Sequence, residues 1–115
     1  MNSIHITGRL CADPEIRTSS QSGTTYCRLQ VAVNRRFANK QTGEREADFI
    51  SCIAWGHTAD FIGKYFFKGN WVEISGELRN NNYTDQNGVK HYAMVVWVSD
   101  AGFVGSKNSD QNAPQ

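Results

Sequence analysis

Nowhere does this sequence approach the ~20 consecutive apolar residues that a membrane-spanning helix needs, so no transmembrane helix is expected. The opening MNSIHITGRL puts no basic segment ahead of an apolar one, which argues against a secretory signal. Cysteine is scarce: Cys11, Cys27 and Cys52 are odd in number, widely spaced, and form no CxxC. That excludes a disulfide framework or a zinc site and points to small buried or half-buried thiols in a reducing compartment, the cytoplasm. Net charge is nearly absent, at +1. Catalytic groupings are missing as well. Asp48 and Asp60 stand apart, His5, His57 and His91 are dispersed structural or surface residues, and no nucleophile–base spacing stands out. A metal-dependent or nucleophilic enzyme needs such a cluster, so neither catalysis, nor a metal, nor a cofactor is expected. No internal repeat is apparent. At this length one domain is expected, over residues 1–105. Residues 106–115, SKNSDQNAPQ, offer nothing to bury and are expected to be a disordered tail.

What the sequence does have is alternation. Residues 3–10 set Ile4, Ile6 and Leu10 against His5 and Arg9, a strand whose interior Gly8 marks a bulge or tight bend. Residues 26–34 set Cys27, Leu29, Val31 and Val33 against Arg28, Gln30, Ala32 and Asn34. Residues 48–56, DFISCIAWG, put Ile50, Cys52 and Ala54 on one face and Phe49, Ser51, Ile53 and Trp55 on the other. A half-solvated strand should show one polar face. This one shows none, so it is either buried on both sides or carries an open aromatic platform. Residues 57–67 have helical spacing, with Ala59, Ile62, Tyr65 and Phe66 on one side, Thr58 as N-cap and Gly69 just past the end. Residues 71–79 alternate again, with Gly76 as a second bulge, and residues 93–98, AMVVWV, read as the last core strand.

The connections carry the charge. Residues 11–25 are polar and turn-rich, with a mobile tip at 19–23. Residues 35–47, RRFANKQTGEREA, form a polar loop or hairpin holding Arg35, Arg36, Lys40 and Arg45, with Phe37 among them and Glu44 and Glu46 diluting the charge. Residues 80–92 turn at Asn87-Gly88, a strong tight-turn signal, with Tyr83, Tyr92, Arg79, Lys90 and His91 nearby. The order strand, strand, strand, helix, strand, hairpin-strand predicts an all-β chain with one short helix. It is the order of the five-stranded OB-fold barrel, with its helix between strands three and four. That fold binds oligonucleotides or oligosaccharides on its second and third strands and in the loops joining strands one–two and four–five.

Several short runs then fall in a familiar order: Gly8-Arg9-Leu10, Asp13-Pro14-Glu15-Ile16-Arg17, Val33-Asn34-Arg35, Gly43-Glu44, Ala47-Asp48-Phe49-Ile50, Ala54-Trp55-Gly56, Lys68-Gly69, Leu78-Arg79 and Tyr83-Thr84-Asp85. Over residues 2–105 the chain resembles the bacterial single-stranded DNA-binding proteins. The resemblance implies an OB-fold that assembles as a homotetramer and wraps single-stranded DNA with little sequence preference, in replication, repair and recombination. It also implies base stacking at Phe37, Phe49, Trp55 and Tyr83. Two of those positions are tryptophan in some members; phenylalanine at 37 and 49 keeps the ring and reduces its area. Members end in a short acidic tip that recruits replication and repair proteins. Here the sequence ends Ala113-Pro114-Gln115, which implies either a truncated tail or a phage- or plasmid-borne member without the tip.

The chemistry suits those residues. A protein that must hold any sequence relies on the π-face common to every base, and on cations that follow the backbone. The expected cations are Arg28, Arg35, Arg36, Lys40 and Arg45 around the second strand and its loop, and Arg79 and Lys90 at the later hairpin. Each residue has a plainer rival. Phe49 and Trp55 are alternatively core residues, Phe37 an anchor of its own loop, Tyr83 a cross-strand partner, and the cations a solvated face. Trp71 and Trp97 are assigned to core or subunit contact, and His5 to a subunit interface. Another OB-fold role, for RNA or as a primosome component, stands as the alternative function.

Overall fold

The computed structural model describes residues 1–104, so the expected tail lies outside the described residues. Its strands are β1 (Ile4–Leu10), β2 (Glu15–Thr18), β3 (Thr25–Asn34) and β4 (Ala47–Trp55), then helix α1 (Gly56–Tyr65). After the helix come β5 (Trp71–Asn80), β6 (Tyr83–Thr84), β7 (Lys90–His91) and β8 (Met94–Phe103). In the larger sheet β1 pairs with β5, β5 with β8, β8 with β4 and β4 with β3. The ring closes where Arg9 and Leu10 of β1 meet Ala32 and Val31 of β3. A closed five-strand barrel with one helix between β4 and β5 is the OB-fold architecture that the sequence predicts.

Closure depends on Gly8. At this residue β1 passes from β5 towards β3, and a Cβ would collide with the Ala32 carbonyl. Only glycine permits that approach. Gly76 is the bulge its sequence suggests: the β5–β8 register shifts between Ser75 and Gly76, and a Cβ there would collide with the Trp97 carbonyl. The barrel is filled by the inward positions of its strands, among them Leu29, Val31, Val72, Ile74 and Val96. Burial pushes the Cys27 thiol up to about 11 and the Cys52 thiol up to about 12. Both are therefore neutral, unreactive thiols at physiological pH.

The helix closes the barrel with Ala59 and Ile62, and Phe66 follows them into the core. These lie at i, i+3 and i+7, one face of a 3.6-residue repeat. Tyr65 falls off that face and is 48% exposed, a correction to its expected inward position. Thr58 is not the N-cap either. The helix begins directly from β4, with Trp55 at the cap position without a side-chain hydrogen bond and Gly56 at φ +60° making the turn. Gly69 sits beyond the C-cap Phe66, in a turn tied to β1 by its N–H donating to the Leu10 carbonyl at 2.9 Å. No helix among the described residues is long and apolar enough to cross a membrane.

Two strands extend past what alternation reveals. β2 pairs with β3 from Glu15–Arg28 to Thr18–Thr25, outside the barrel, and all four of its residues are exposed. β8 runs on through Phe103, because its polar second half still pairs with β5. The expected mobile tip at 19–23 is a tight turn, with the Ser19 N–H donating to the Thr24 carbonyl and Gly23 at φ +72°.

Candidate nucleic-acid interface

The two faces of β4 decide between the two readings of that strand. Cys52 and Ala54 are buried in the barrel and Ile50 packs against them. Phe49, Ser51, Ile53 and Trp55 face outwards, and Phe49 is 63% exposed. The strand is not buried on both sides. On β3 the outward residues lie directly across: Tyr26 from Trp55, Arg28 from Ile53, Gln30 from Ser51 and Ala32 from Phe49. Phe49 and Trp55 are six residues apart, about 20 Å along an extended strand. One sheet surface therefore carries a ring at each end and a guanidinium between them.

A groove of about 680 Å³ runs over this face, lined by Arg28, Gln30, Ser51, Ile53 and Trp55 on one side and Asn80, Asn81, Val95 and Trp97 on the other. Ala12, Asp13 and Glu15 edge it. Among the expected site residues, Arg28 and Trp55 line the groove. Phe49 lies on β4 and Arg79 on β5 outside the groove lining, and the others belong to the two hairpins. β8 runs parallel to β4, so the hairpin before β4 and the hairpin before β8 leave the same end of the sheet.

The first hairpin, residues 35–46, is braced by Arg35. Its guanidinium meets Asp48 at 3.0 Å and Glu46 at 3.5 Å, and its N–H donates to the Glu46 carbonyl at 2.8 Å. The hydrogen bond from Arg35 holds the Asp48 carboxyl below its ordinary range. Arg35 is thus a structural brace whose charge is offset, not a free cation. Asn39 shapes the tip, its Oδ1 accepting the N–H groups of Gln41 and Thr42. Phe37 projects from this hairpin, 79% exposed, with the Arg36 guanidinium 5.8 Å from its ring. It does not fold back onto its own loop. Arg36, Lys40 and Arg45 are exposed, and no ion pair engages them among the described residues.

The second hairpin holds Tyr83 on β6 and Lys90 on β7. Tyr83 is 57% exposed and stacks on His91 at 4.7 Å with planes 12° apart. The cross-strand pairing is real, and it covers one face of the ring only. His91 Nε2 lies 2.9 Å from Asp85, and Asp85 also accepts the N–H groups of Asn87 and Val89. The His91 contact, more than the backbone donors, lowers the Asp85 carboxyl below its usual range. Lys90 is exposed. Arg79 is not free: it lies over the Trp97 ring at 4.0 Å and pairs with Glu77 at 2.7 Å.

Two rings beside Trp55 on the outward face, Trp97 and Tyr26, are not among the expected site residues. Trp97 sits in the unbroken apolar run AMVVWV, where nothing marks which face is outward; it is not a core residue but half-buried, and it lines the groove. Tyr26 had a signal, since it shares a face with Arg28. Trp71 is not a core residue; it is exposed outside the groove, under the Arg9 guanidinium at 5.1 Å. Among the described residues, no three His, Cys, Asp or Glu side chains gather as a metal ion requires.

Chemically, the face offers flat apolar rings and cations, with the polar side chains of Gln30, Ser51, Asn80 and Asn81 between them. Rings that leave the core forgo roughly 25 cal/mol per Å² of burial, so an open row of them marks a binding surface. Known proteins agree. The model of the single-strand binding protein family matches residues 1–104. A single-stranded DNA-binding protein of Clostridium perfringens is 42% identical over 108 residues, covering 94% of this chain and 69% of its own length. Single-stranded DNA-binding protein 1 of Staphylococcus aureus is 39% identical over 115 residues, all of this chain and 68% of that one. A single-stranded DNA-binding protein of Bacillus cereus is 38% identical over 108 residues, 94% of this chain and 62% of that one. With the barrel, its open aromatic face and these likenesses together, the chain belongs to the single-strand binding protein family.

Proposed function

We propose that this protein binds single-stranded DNA with little sequence preference and protects it during replication, repair and recombination. Bases stack on Phe37, Phe49, Trp55 and Tyr83, each contact worth roughly 1–3 kcal/mol. Arg28, Arg36, Lys40, Arg45 and Lys90 follow the phosphates, and binding weakens with salt as counterions cease to be released. Arg35 acts indirectly, by holding the hairpin that carries Phe37. The protein works in the cytoplasm as a homotetramer, with residues 1–105 as its binding domain and His5 of β1 at a subunit contact.

The observation that carries this reading is the outward aromatic face of β4, with Phe49 63% exposed. A duplex hides its π-faces inside the stack, so such a platform selects unpaired bases. Titration of tryptophan fluorescence with oligo-dT tests it. Quenching at low salt, reversed by added salt and not competed by duplex DNA, is the expected result; no quenching at low salt contradicts it. Competition with an RNA oligomer separates DNA from RNA as the preferred strand. The mass in solution tests the tetramer.

A further inference from the structure

Three rings stand side by side across the outward face, each on a different strand. Tyr26 on β3 is the cross-strand partner of Trp55 on β4, with ring centroids 5.0 Å apart and planes at 35°. Trp97 on β8 flanks Trp55 from the other side, at 5.8 Å and 32°. A guanidinium stands at each end of the row. Arg28 lies 6.0 Å from the Tyr26 ring, and Arg79 on β5 lies 4.0 Å from the Trp97 ring. The row therefore runs cation, ring, ring, ring, cation, crossing four adjacent strands.

Packing alone does not explain it. The core is filled by the sequence neighbours of these rings, namely Cys27, Ala54 and Val96, which point inwards and are fully buried. The rings occupy the opposite face, where a solvated sheet carries polar residues. All three are half-buried, and Trp55 and Trp97 line the groove. The Trp55 Nε1–H is enclosed without a hydrogen-bond partner. A protein built only for stability would not keep an orphaned donor beneath an outer surface. Flanked on both sides, Trp55 is fixed in orientation before any ligand arrives, which lowers the cost of binding.

We propose that Tyr26 and Trp97 are further base-contacting residues, forming with Trp55 one continuous stacking surface for unpaired nucleobases. The inference rests on the single-stranded DNA reading and extends it to two rings outside the expected quartet. Arg79 belongs to the same surface as a clamp on Trp97. Glu77 holds it there, and its guanidinium plane closes the end of the row, itself a shape on which bases stack.

The sequence holds three tryptophans, Trp55, Trp71 and Trp97, so each can be made the sole reporter in the full chain. The W55F/W71F protein reports on Trp97, and the W71F/W97F protein on Trp55. Both are titrated with oligo-dT at low salt, and anisotropy of a labelled oligomer records binding independently. Quenching of both reporters with matching midpoints is the expected result. Quenching in the Trp55 reporter with an unchanged Trp97 signal, while anisotropy shows that both proteins bind, overturns the proposal. Anisotropy showing no binding by the wild-type chain instead removes the underlying reading, and the proposal with it. In a second arm, Tyr26→Leu and Trp97→Leu should each weaken binding roughly 5- to 150-fold with an unchanged salt slope. Unchanged affinity in variants that melt as folded proteins also overturns it.

Discussion

The two faces of β4 are composed the wrong way round for a strand that serves only stability. Inwards it sends Ile50, Cys52 and Ala54; outwards it sends Phe49, Ile53 and Trp55. Large rings gain most from burial, yet the barrel interior takes Ile50 with the small Cys52 and Ala54, while Phe49 is exposed and Trp55 only half-buried on the outer face. The helix and its C-cap show the opposite economy, placing Ile62 and Phe66 fully inside. The same chain thus buries bulky apolar residues where it needs a core and withholds them on one sheet face. That difference is the physical signature of a surface reserved for a flat, apolar ligand.

Substitutions on the two faces should separate cleanly. The largest effect belongs to the interior: Ile74→Ala should lower unfolding free energy by about 2–5 kcal/mol in urea titrations. Its oligo-dT affinity should stay unchanged wherever the variant remains folded. Phe49→Ala should do the reverse, weakening binding by roughly 1–3 kcal/mol and moving stability by only about 0.5 kcal/mol. A Phe49→Ala protein that loses stability but keeps its affinity would make both faces one core.

The cations allow a finer division. Lys40→Gln and Arg45→Gln should each reduce the slope of log affinity against log salt by about 0.7, the value for one phosphate contact on a single strand. Arg35→Gln should leave the slope nearly intact, because Asp48 and Glu46 already offset its charge. It should instead weaken binding by no more than one stacked base, as Phe37 loses its support. An Arg35 effect on slope as large as that of Lys40 would erase the distinction between brace and contact.

The smallest effect is on the second hairpin and depends on pH. Asp85 is held below its ordinary value of 3.8, chiefly by His91. A depressed carboxyl contributes its stability fully above the unfolded value and loses it as pH falls through the folded one. The pair is exposed, so the contribution is small. Amide hydrogen exchange at Asn87 and Val89, whose N–H groups donate to Asp85, should lose protection relative to intrinsic rates as the pH falls below the ordinary carboxyl value of 3.8. Exchange within β3 should keep its protection over the same fall in pH.

Much of this organisation is written in the alternation. The inward and outward residues of β3 and β4 follow from a period of two, and Gly8 and Gly76 announce the two places where backbones approach closely. What alternation misses has physical causes. β2 consists of four exposed residues held by pairing with β3, so no burial pattern encodes it. Trp97 lies in a run apolar at every position, where period two carries no information. Arg35 and Arg79 look like free cations in sequence, since their partners Asp48 and Glu77 become neighbours only through strand register and side-chain geometry. Tyr65 fails for a narrower reason: Ala59 and Ile62 of the helix and Phe66 at its C-cap take the inward stripe, and Tyr65 falls beside it.

Oxidative footprinting of aromatic side chains, with and without saturating oligo-dT, tests the reserved face most directly. Protection should rise at Phe37, Phe49, Trp55 and Tyr83, while Tyr65, Phe67 and Trp71, exposed outside the groove, should react equally in both states. Protection gained at Tyr65, Phe67 and Trp71, with Phe49 and Trp55 unchanged, would contradict it and move the nucleic acid to the other side of the barrel.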